Sequence, residues 1–389
     1  MKVDKEKWEK RKFSQIGTSQ LGKTLDSKKN KGNPYPYLCA VNVGYGKFSL
    51  SNIKQILLED SELERYRVIR GDLLICEGGE TGRCAIWDSD EPIYYQNALH
   101  RVRFVSDVYN RFIMYTLHYY KQTGIIDRFS HGQTIKHFTQ KGLNQLTFRI
   151  PPIYIQHSIA RELDSVQAMI DGYRQQIADL DTLAQSIFLD TFGDPVSNPK
   201  GWEMSNYDCQ FKVSSGGTPS KKVAEYWNGG DIPWIGSNMC TNSILYKTDG
   251  KTITQLGLDN SSAKIFPSGT ILVALVGATI GKCGLLAIPT STNQNIAGLN
   301  IKDEETLTPL YAFYHTMFLY PLFQDIGDGK FTISNQGFIK KLPICLPPLP
   351  LQHHFAAQIE SIEKQKKQLR RQLADAETLM AERMQYYFA

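Results

Sequence analysis

The chain has 389 residues, of which 41% are hydrophobic and 21% charged, and its formal net charge is +5. This length predicts two or three globular domains, and the mild charge excludes a small, uniformly basic DNA-binding protein. The longest apolar stretch, Ile271 to Val276, is too short for a membrane span, and the first residues lack the apolar core of a signal peptide. Seven cysteines without a C-x-x-C pair indicate reduced thiols, so we expect a cytoplasmic protein.

Positive charge is concentrated at the start of the chain. Residues 1–31 contain ten lysines and arginines against four acidic residues. Two interpretations stay open, a solvated and partly frayed N-terminus or a local surface for an anionic partner.

Residues 13–150 have the pattern of a mostly β domain. Short apolar runs such as Val68–Ile75 and Tyr94–Phe104 are separated by glycine, asparagine, aspartate and proline. This spacing predicts an α+β domain with a twisted or barrel-like sheet. One short helix is predicted at Arg111–Tyr120, where apolar residues share one face.

A long helix is predicted directly after Pro151 and Pro152. Apolar residues recur there in alternating steps of four and three, which is the heptad pattern of a coiled coil. The predicted seam is Ile159, Leu163, Val166, Ile170, Ile177 and Leu180. Gly193 and Pro195 stop the pattern, so the helix is placed at residues 153–194.

The second half of the chain repeats the first at a shift of 194 to 199 residues. The matches, which keep a constant order, are Trp8 with Trp202, Gly71-Asp72-Leu73-Leu74 with Gly269-Thr270-Ile271-Leu272, Gln96-Asn97 with Gln294-Asn295, and Pro151-Pro152 with Pro347-Pro348. We therefore predict a second domain of the same architecture at residues 202–345, with a short helix at Pro309–Phe318.

A second long helix is predicted after Pro348. Its seam residues, each 196 positions after a heptad residue of the first helix, are Phe355, Ile359, Ile362, Leu369 and Leu373. If the two halves are related by a two-fold axis, the helices pair as an antiparallel coiled coil, because each carries an apolar stripe that must be buried. The alternative, in which each helix packs only on its own domain, stays open. Lys366 and Arg383 interrupt the second seam.

Motifs for catalysis and metal binding are missing. The segment Gly277 to Cys283 has three residues between its glycines where a P-loop needs four, and Cys283 replaces the magnesium-binding hydroxyl. Its counterpart, Gly79 to Cys84, departs further from a P-loop, so both are interpreted as turns between strands. The histidines are scattered, no metal site is predicted, and no nucleophile motif occurs. An active site assembled from distant residues stays open.

Residue types that contact nucleic acids gather in two pairs of glycine-containing loops. Lysines neutralise phosphates, and hydroxyl and amide side chains can bond to phosphates or base edges. The candidates are Lys23, Thr24, Lys28, Lys29, Gln133, Thr134 and Lys136 in the first half, and Ser215, Gly216, Gly217, Thr218, Ser220, Lys221, Lys222, Lys330, Thr332 and Asn335 in the second. A polar surface loop is the alternative for each. Recurrence in both halves favours a role in binding.

Three groups of residues together form a family signature. Ser215-Gly-Gly-Thr-Pro-Ser-Lys221 is followed by Glu225-Tyr226-Trp227 and by Gly230-Asp-Ile-Pro-Trp-Ile235. A heptad helix follows Pro347-Pro348-Leu349-x-x-Gln352 and its copy Pro151-Pro152-x-x-x-Gln156. This arrangement resembles type I restriction–modification DNA specificity subunits over nearly the whole chain.

The resemblance implies target-recognition domains at residues 1–152 and 195–348, a central coiled-coil helix at 153–194 and a C-terminal one at 349–389. In the first domain, Leu21-Gly22-Lys23-Thr24 stands where the family has Gly-Gly-Thr-Pro. Each domain is then expected to read one half of a split, asymmetric sequence in double-stranded DNA, with the helices setting the spacer.

The resemblance also implies partners. They are two methyltransferase subunits, which carry S-adenosylmethionine, and motor-nuclease subunits in the full complex. The chain itself would then hold no cofactor and catalyse nothing. Two alternatives remain, a coiled-coil adaptor that binds proteins and a restriction or modification enzyme with a non-obvious active site.

Overall fold

The computed structural model describes residues 4–26, 28–130, 137–324 and 335–389. The chain forms two compact units, the first from residues 1–174 and 371–389 and the second from residues 175–370. Each unit therefore contains one sheet-rich domain and a part of both long helices. Of the described residues, no helix is both long enough and apolar enough to cross a membrane.

The first unit combines short strands with short helices. Its strands are β1 (Glu9–Lys12), β2 (Gly17–Leu21), β3 (Asn33–Leu38), β4 (Lys54–Leu58), β5 (Arg67–Val68), β6 (Leu73–Cys76), β7 (Cys84–Ile86), β8 (Ile93–Tyr95), β9 (Leu99–Phe104) and β10 (Thr147–Ile150). Its helices are α1 (Phe13–Ile16), α2 (Asp60–Tyr66), α3 (Asn110–Gln122), α4 (Ile125–Arg128), α5 (Gln140–Gln145) and the first part of α6 (Ile153–Phe192).

Two small sheets form the body of this unit. One is antiparallel with the order β2-β9-β6-β7, and the other has the order β4-β3-β8-β5 with β3 and β8 parallel. Strand β6 is buried on both faces. Its Leu73 and Ile75 join a core with α3, whereas Leu74 and Cys76 face a core shared with the second sheet. Burial on both faces explains why this strand is apolar at successive positions.

The second unit repeats this plan. Its strands are β11 (Glu203–Asn206), β12 (Phe211–Ser215), β13 (Ile232–Ile235), β14 (Ser243–Leu245), β15 (Thr252–Ile253), β16 (Ile265–Phe266), β17 (Ile271–Ala274), β18 (Cys283–Leu286), β19 (Thr290–Thr292), β20 (Ile296–Ile301) and β21 (Pro343–Leu346). Its helices are the last part of α6, α7 (Tyr207–Gln210), α8 (Gln255–Asp259), α9 (Pro309–Phe318), α10 (Tyr320–Gln324), α11 (Gln336–Lys341) and the first part of α12 (Leu349–Phe388).

The sheet orders of the two units correspond strand by strand. The second unit has β12-β20-β17-β18-β14 and β15-β13-β19-β16, and its one addition is β14, which pairs parallel with β18. The predicted tandem α+β organisation is confirmed. The predicted short helices coincide with α3 and α9, and α9 has the predicted bounds.

Within the first unit, α6 and the end of α12 pack against each other in opposite directions. Glu162 on α6 contacts Arg383 and Tyr387, whereas Arg174, three turns further along α6, contacts Glu377. Contacts that move backwards along one helix as they advance along the other define an antiparallel pair.

The apolar residues of this seam are buried in the same core as the sheet domain. From α6 they are Ile159, Leu163, Val166 and Ile170, and from α12 they are Ala376, Met380, Met384 and Tyr387, with Leu373 half-buried beside them. The two packing alternatives are thus not exclusive, since the helices pair and also pack on the domain.

In the second unit the same pairing holds for the other helix segments. Residues Ala184, Phe188 and Phe192 of α6 share a core with Phe355, Ile359 and Ile362 of α12, and Leu180 packs at its edge. Ile177 and Leu369 are only half-buried. The predicted antiparallel coiled coil is therefore present, with its most buried positions where a sheet domain also covers the seam.

A buried glutamine joins each long helix to its domain. Gln352, in the first turn of α12, is fully buried. Its Oε1 accepts a hydrogen bond from the Thr308 backbone N–H at 2.9 Å, and its Nε2 donates to the carbonyls of Thr306 at 3.0 Å and Pro347 at 2.9 Å. The side chain thus satisfies backbone groups that lead into α9 and would otherwise be buried without partners.

The first unit has the same arrangement 196 residues earlier. Gln156 is also fully buried, accepts from the Tyr109 N–H at 2.8 Å and donates to the carbonyls of Asp107 and Pro151. The Pro-Pro…Gln signature is therefore a structural clamp between the start of the helix and the segment before α3 or α9.

Lys366, which interrupts the predicted seam, is buried among charged partners. Its ammonium lies 2.6 Å from a carboxylate oxygen of Asp181 on α6 and also contacts Glu363, which is itself buried. Arg370 lies 3.6 Å from the second oxygen of Glu363. The second unit therefore keeps charges inside its helix pair by pairing them, as buried charges require.

We expect Gln352→Leu to lower the free energy of unfolding by about 2–4 kcal/mol, because two carbonyls and one N–H lose their buried partner. The urea midpoint of the purified chain measures this loss. Gln365→Leu, at an exposed position of the same helix, is the matched control and should change stability by less than about 0.5 kcal/mol. Equal midpoints for the two variants would contradict the clamp.

We expect Lys366→Ile to destabilise the second unit by about 2–4 kcal/mol, because Glu363 keeps its buried charge and loses its nearest cation. The first unit has Gln167 and Ile170 at the equivalent positions. The double variant Lys366→Ile, Glu363→Gln should therefore recover most of the loss in urea unfolding. A double variant as unstable as the single one would show that charge pairing is not the cause.

Candidate nucleic-acid interface

The segment that follows β12 is held tightly against its neighbours. A Cβ atom on Gly216 would lie 2.1 Å from the Thr292 carbonyl oxygen, and one on Gly217 would lie 2.3 Å from the Ser262 hydroxyl. The Gly217 N–H donates to the same Thr292 carbonyl at 2.8 Å. These glycines are therefore required by close packing, and the N–H of Gly217 is already bonded inside the protein.

Other polar groups of this segment are also bonded internally. The Thr218 hydroxyl donates to Gln294 Oε1 at 2.6 Å, and the Ser215 hydroxyl accepts from Gln336 Nε2 at 2.7 Å. Gln294 is exposed. Thr218 and Ser215, which were predicted to contact DNA, thus stabilise the conformation of the loop through hydrogen bonds within the protein.

The end of the segment is open to solvent. Ser220, Lys221 and Lys222 are exposed, and no ion pair of the described residues uses either lysine. Two free ammonium groups on a rigidly supported loop give a surface suited to phosphate oxygens.

The first unit builds the same loop from a different sequence. A Cβ atom on Gly22 would lie 2.4 Å from the carbonyl oxygens of both Tyr95 and Gln96. The Lys23 N–H donates to Tyr95 O, as the Gly217 N–H donates to Thr292 O. Leu21-Gly22-Lys23-Thr24 and Ser215-Gly216-Gly217-Thr218 thus occupy equivalent places although only one glycine is shared.

The side chain of Lys23 is turned inward. It pairs with Glu62, and its ammonium lies 5.8 Å from the centre of the Tyr66 ring. Burial acts to raise the pKa of Glu62, but hydrogen bonds from Lys23 and from the Glu59 N–H outweigh it and hold that pKa below its usual value. With its charge already paired, Lys23 is less suited to phosphate contact than its exposed neighbours.

Those neighbours form a small basic loop. Lys28 and Lys29 are exposed, and their N–H groups donate to the Asp26 carboxylate, which also lies 3.5 Å from the Lys29 ammonium. Thr24 is exposed beside them. The loop therefore presents two lysines and a hydroxyl on one short stretch.

The second pair of predicted loops is only partly described. Gln133, Thr134, Lys136, Lys330 and Thr332 lie outside the described residues. Asn335 is described, and its side chain caps α11 by accepting a hydrogen bond from the Phe338 N–H at 3.0 Å. That carbonyl is thus engaged in the fold.

A pair of arginines on β9 was not singled out by the sequence. Arg101 and Arg103 line a polar cleft of about 260 Å³ with Thr18, Ser19 and Gln20 of β2. Arg101 donates to Gln20 Oε1 at 2.8 Å, and Arg103 forms a two-pronged ion pair with Asp72. Alternation along β9 could have placed both on one face, but their proximity to β2 depends on strand register.

The equivalent contact in the second unit has different chemistry. Asn300 and Thr270 stand where the first unit has Arg103 and Asp72, and the Thr270 hydroxyl donates to Asn300 Oδ1 at 2.6 Å. Gly298 replaces Arg101. One backbone plan therefore carries different polar groups at matching positions.

A larger cleft lies beside the exposed lysines of the second unit. It has a volume of about 580 Å³ and is lined by Lys221, Ala224, Trp227, Asn228, Trp234, Gly236, Asn238 and Lys251. No sequence signal joins the three chain segments that meet here, 221–228, 234–238 and 251.

The glycine segment that resembles a P-loop is a hairpin turn. Gly277 and Gly281 have positive φ and lie between β17 and β18, and a Cβ atom on Gly281 would lie 2.6 Å from the Phe323 ring. Positive φ is the reason for glycine at a tight turn. The interpretation as a turn between strands agrees with this geometry.

The described residues contain no group of three or more histidine, cysteine, aspartate or glutamate side chains that could hold a metal. Two histidines are instead part of the cores. Burial lowers the pKa of His118 to about 4 and that of His315 to about 3, so both are neutral at pH 7. His315 accepts from the Cys345 N–H.

Both halves of the chain match one protein family. Residues 5–181 and 199–376 match the sequence profile described as the type I restriction modification DNA specificity domain. The MjaIX specificity subunit of a type I restriction enzyme from Methanocaldococcus jannaschii is 33% identical over 177 residues, which are 44% of this chain and 40% of that protein. The putative MjaX specificity subunit of the same organism is 21% identical over 386 residues, covering 92% and 87%.

Solved structures show the same fold. The S subunit of a type I restriction–modification system from M. genitalium superposes with a TM-score of 0.56 at 14% identity, covering 100% of this chain and 98% of that one. The duplicated architecture is thus shared well beyond recognisable sequence similarity.

We expect Gly216→Ala to destabilise the second unit by about 2–3 kcal/mol, because the new Cβ atom overlaps the Thr292 carbonyl and displaces the loop. Urea unfolding measures the loss, and faster hydrogen exchange at the Gly217 N–H would locate it. Gly172→Ala is the control, since its Cβ atom meets nothing within 4 Å inside α6 and alanine favours a helix. Unchanged exchange at Gly217 would contradict the packing role.

Proposed function

Because the chain belongs to the family of type I restriction–modification DNA specificity subunits, we propose that each of its two units reads one part of a bipartite, asymmetric DNA sequence. The observation that carries this proposal is the repetition of one fold with different side chains at matching positions of its sheets. Arg101 and Arg103 in the first unit correspond to Gly298 and Asn300 in the second. Two domains with different side chains at matching positions bind different base sequences.

Phosphate contacts are assigned to the exposed lysines of the two loops. Lys28 and Lys29 serve the first unit, and Lys221 and Lys222 serve the second. Such contacts add affinity and fix register without sequence preference, and they make binding weaken steeply as salt rises. Lys23 is left out of this set because Glu62 neutralises it.

The paired helices α6 and α12 are proposed to fix the unread spacer between the two parts of the site. They also supply surfaces for two methyltransferase subunits, and in the full complex motor-nuclease subunits join these. Similarity in fold supports this, since a solved chain that superposes with a TM-score of 0.55 at 15% identity is described in terms of complex assembly of the type I restriction–modification system.

We further propose that catalysis and S-adenosylmethionine reside in the partner subunits. In keeping with this proposal, the histidines His118 and His315 are buried and neutral in the cores of the two units. The role of this chain is then to choose the DNA and to hold the methyltransferase on it.

Mapping of methylated bases tests the proposal directly. The chain is expressed with its methyltransferase in cells that lack other modification systems, and genomic DNA is sequenced for methylation. We expect a single motif with two different specified parts separated by unspecified bases, and no such motif when this chain is omitted.

Copurification of the two proteins provides the internal control. A methyltransferase that copurifies with the chain and methylates no bipartite motif would overturn the proposed function in favour of a protein-binding adaptor. Salt-insensitive binding to duplex DNA would do the same, because an adaptor makes no phosphate contacts.

A further inference from the structure

The cleft of about 580 Å³ in the second unit has a rigid aromatic wall. The rings of Trp227 and Trp234 meet edge to face, with centres 5.1 Å apart. Trp234 Nε1 donates to the Gly217 carbonyl at 2.9 Å, and Trp227 Nε1 donates to the Ser220 carbonyl at 3.3 Å. Both indole N–H groups are thereby used, so the tryptophans hold the lysine-bearing loop in place and offer the cleft apolar surface.

Four polar side chains line the cleft, all of them donors, and three of the four have no hydrogen-bond or ion-pair partner among the described residues. Asn228 and Asn238 are exposed, and neither side-chain amide takes part in a hydrogen bond of the described residues. Lys221 has no ion-pair partner among those residues, and Lys251 lies 2.5 Å from Asp249, outside the lining. The lining itself contains two ammonium groups, two amides and no carboxylate.

The first unit differs from the second at the position of Asn228. Gly32 and Gly230 correspond, since a Cβ atom on either would press against the backbone after the neighbouring strand, at Leu58 or Ile253. Asn30 therefore takes the place of Asn228, and its amide donates to the Thr24 carbonyl at 3.0 Å. The free amide of Asn228 is thus not repeated in the first unit.

We infer that this cleft receives the sugar–phosphate backbone of one DNA strand, with Lys221, Lys251, Asn228 and Asn238 as phosphate contacts. The inference rests on the proposed function and states which part of the DNA this cleft contacts. Base edges lie at the bottom of the grooves and are reached by protruding elements, whereas the backbone is the raised part of a duplex and fits a concave surface. Ammonium and amide groups donate to phosphate oxygens.

The apolar wall completes the fit. A deoxyribose is less polar than a phosphate, and the tryptophan rings supply the contact area beside the donors. Since the two indoles are fixed by their own hydrogen bonds, the cleft keeps its shape without DNA, and little ordering of side chains opposes binding.

The test compares two double variants of the full chain in complex with its methyltransferase. Lys221→Ala with Lys251→Ala removes two charges, and Asn228→Ala with Asn238→Ala removes two neutral donors. Fluorescence anisotropy gives the affinity for a duplex with the mapped motif and for an unrelated duplex over a series of salt concentrations, and methylation mapping gives the motif.

We expect both variants to bind about tenfold more weakly or worse, by a similar factor on the two duplexes, and to methylate an unchanged motif. The lysine variant should also make the slope of log affinity against log salt shallower by about 2, because each phosphate contact releases close to one counterion. The asparagine variant should keep the slope of the unaltered chain.

The control is Lys200→Ala with Lys302→Ala, which removes the same charge from exposed positions of the same unit outside the cleft and outside both long helices. Affinity and slope equal to the control would overturn the cleft assignment. An altered motif in the asparagine variant would also overturn it, since it would show base reading. In both cases the unaltered chain still binds and directs methylation, whereas failure of the proposed function removes binding and motif from the unaltered chain.

Discussion

The buried glutamine at the start of each long helix is the contact on which each unit depends. Gln352 and Gln156 each satisfy one N–H and two carbonyls at the junction between sheet domain and helix. An apolar side chain there would remove the partner of three backbone groups, of which the carbonyls of Pro151 and Pro347 and the N–H of Thr308 are buried. The helix start is thereby fixed against the domain, and the same clamp lets one architecture be used twice with different surfaces.

The periodic parts of the fold were predictable from the sequence, and the non-local parts were not. The heptads placed both long helices because burial of one helix face repeats apolar residues at a fixed spacing, and the apolar face of α3 placed that helix. Strands β6 and β17 are buried on both faces. Apolar and polar residues therefore do not alternate along them, and the sequence does not indicate which strands lie beside them. Their division between two cores in each unit depends on pairings with distant strands.

For the candidate interface, the residue types predicted the positions of the loops but not the role of each residue in them. Gly216 and Gly217 are packed against the neighbouring residues Thr292 and Ser262, and their predicted part in DNA binding stays a prediction. Lys23 was expected to face DNA and pairs with Glu62, a partner 39 residues away. The tryptophan-walled cleft is formed by separate chain segments, and no local sequence pattern predicts that they lie together. The remaining predicted DNA contacts stay predictions.

The makeup of the two units has a consequence for biosynthesis. The second unit is a single continuous stretch, residues 175–370, whereas the first also needs residues 371–389. Four residues of α12 belong to its core, so the domain translated first lacks part of its interior until these residues have been synthesised: Ala376, Met380, Met384 and Tyr387. Domains usually fold in the order of synthesis. Here the later domain has all its residues sooner, and the earlier one exposes an apolar groove that only the last helical turns can cover.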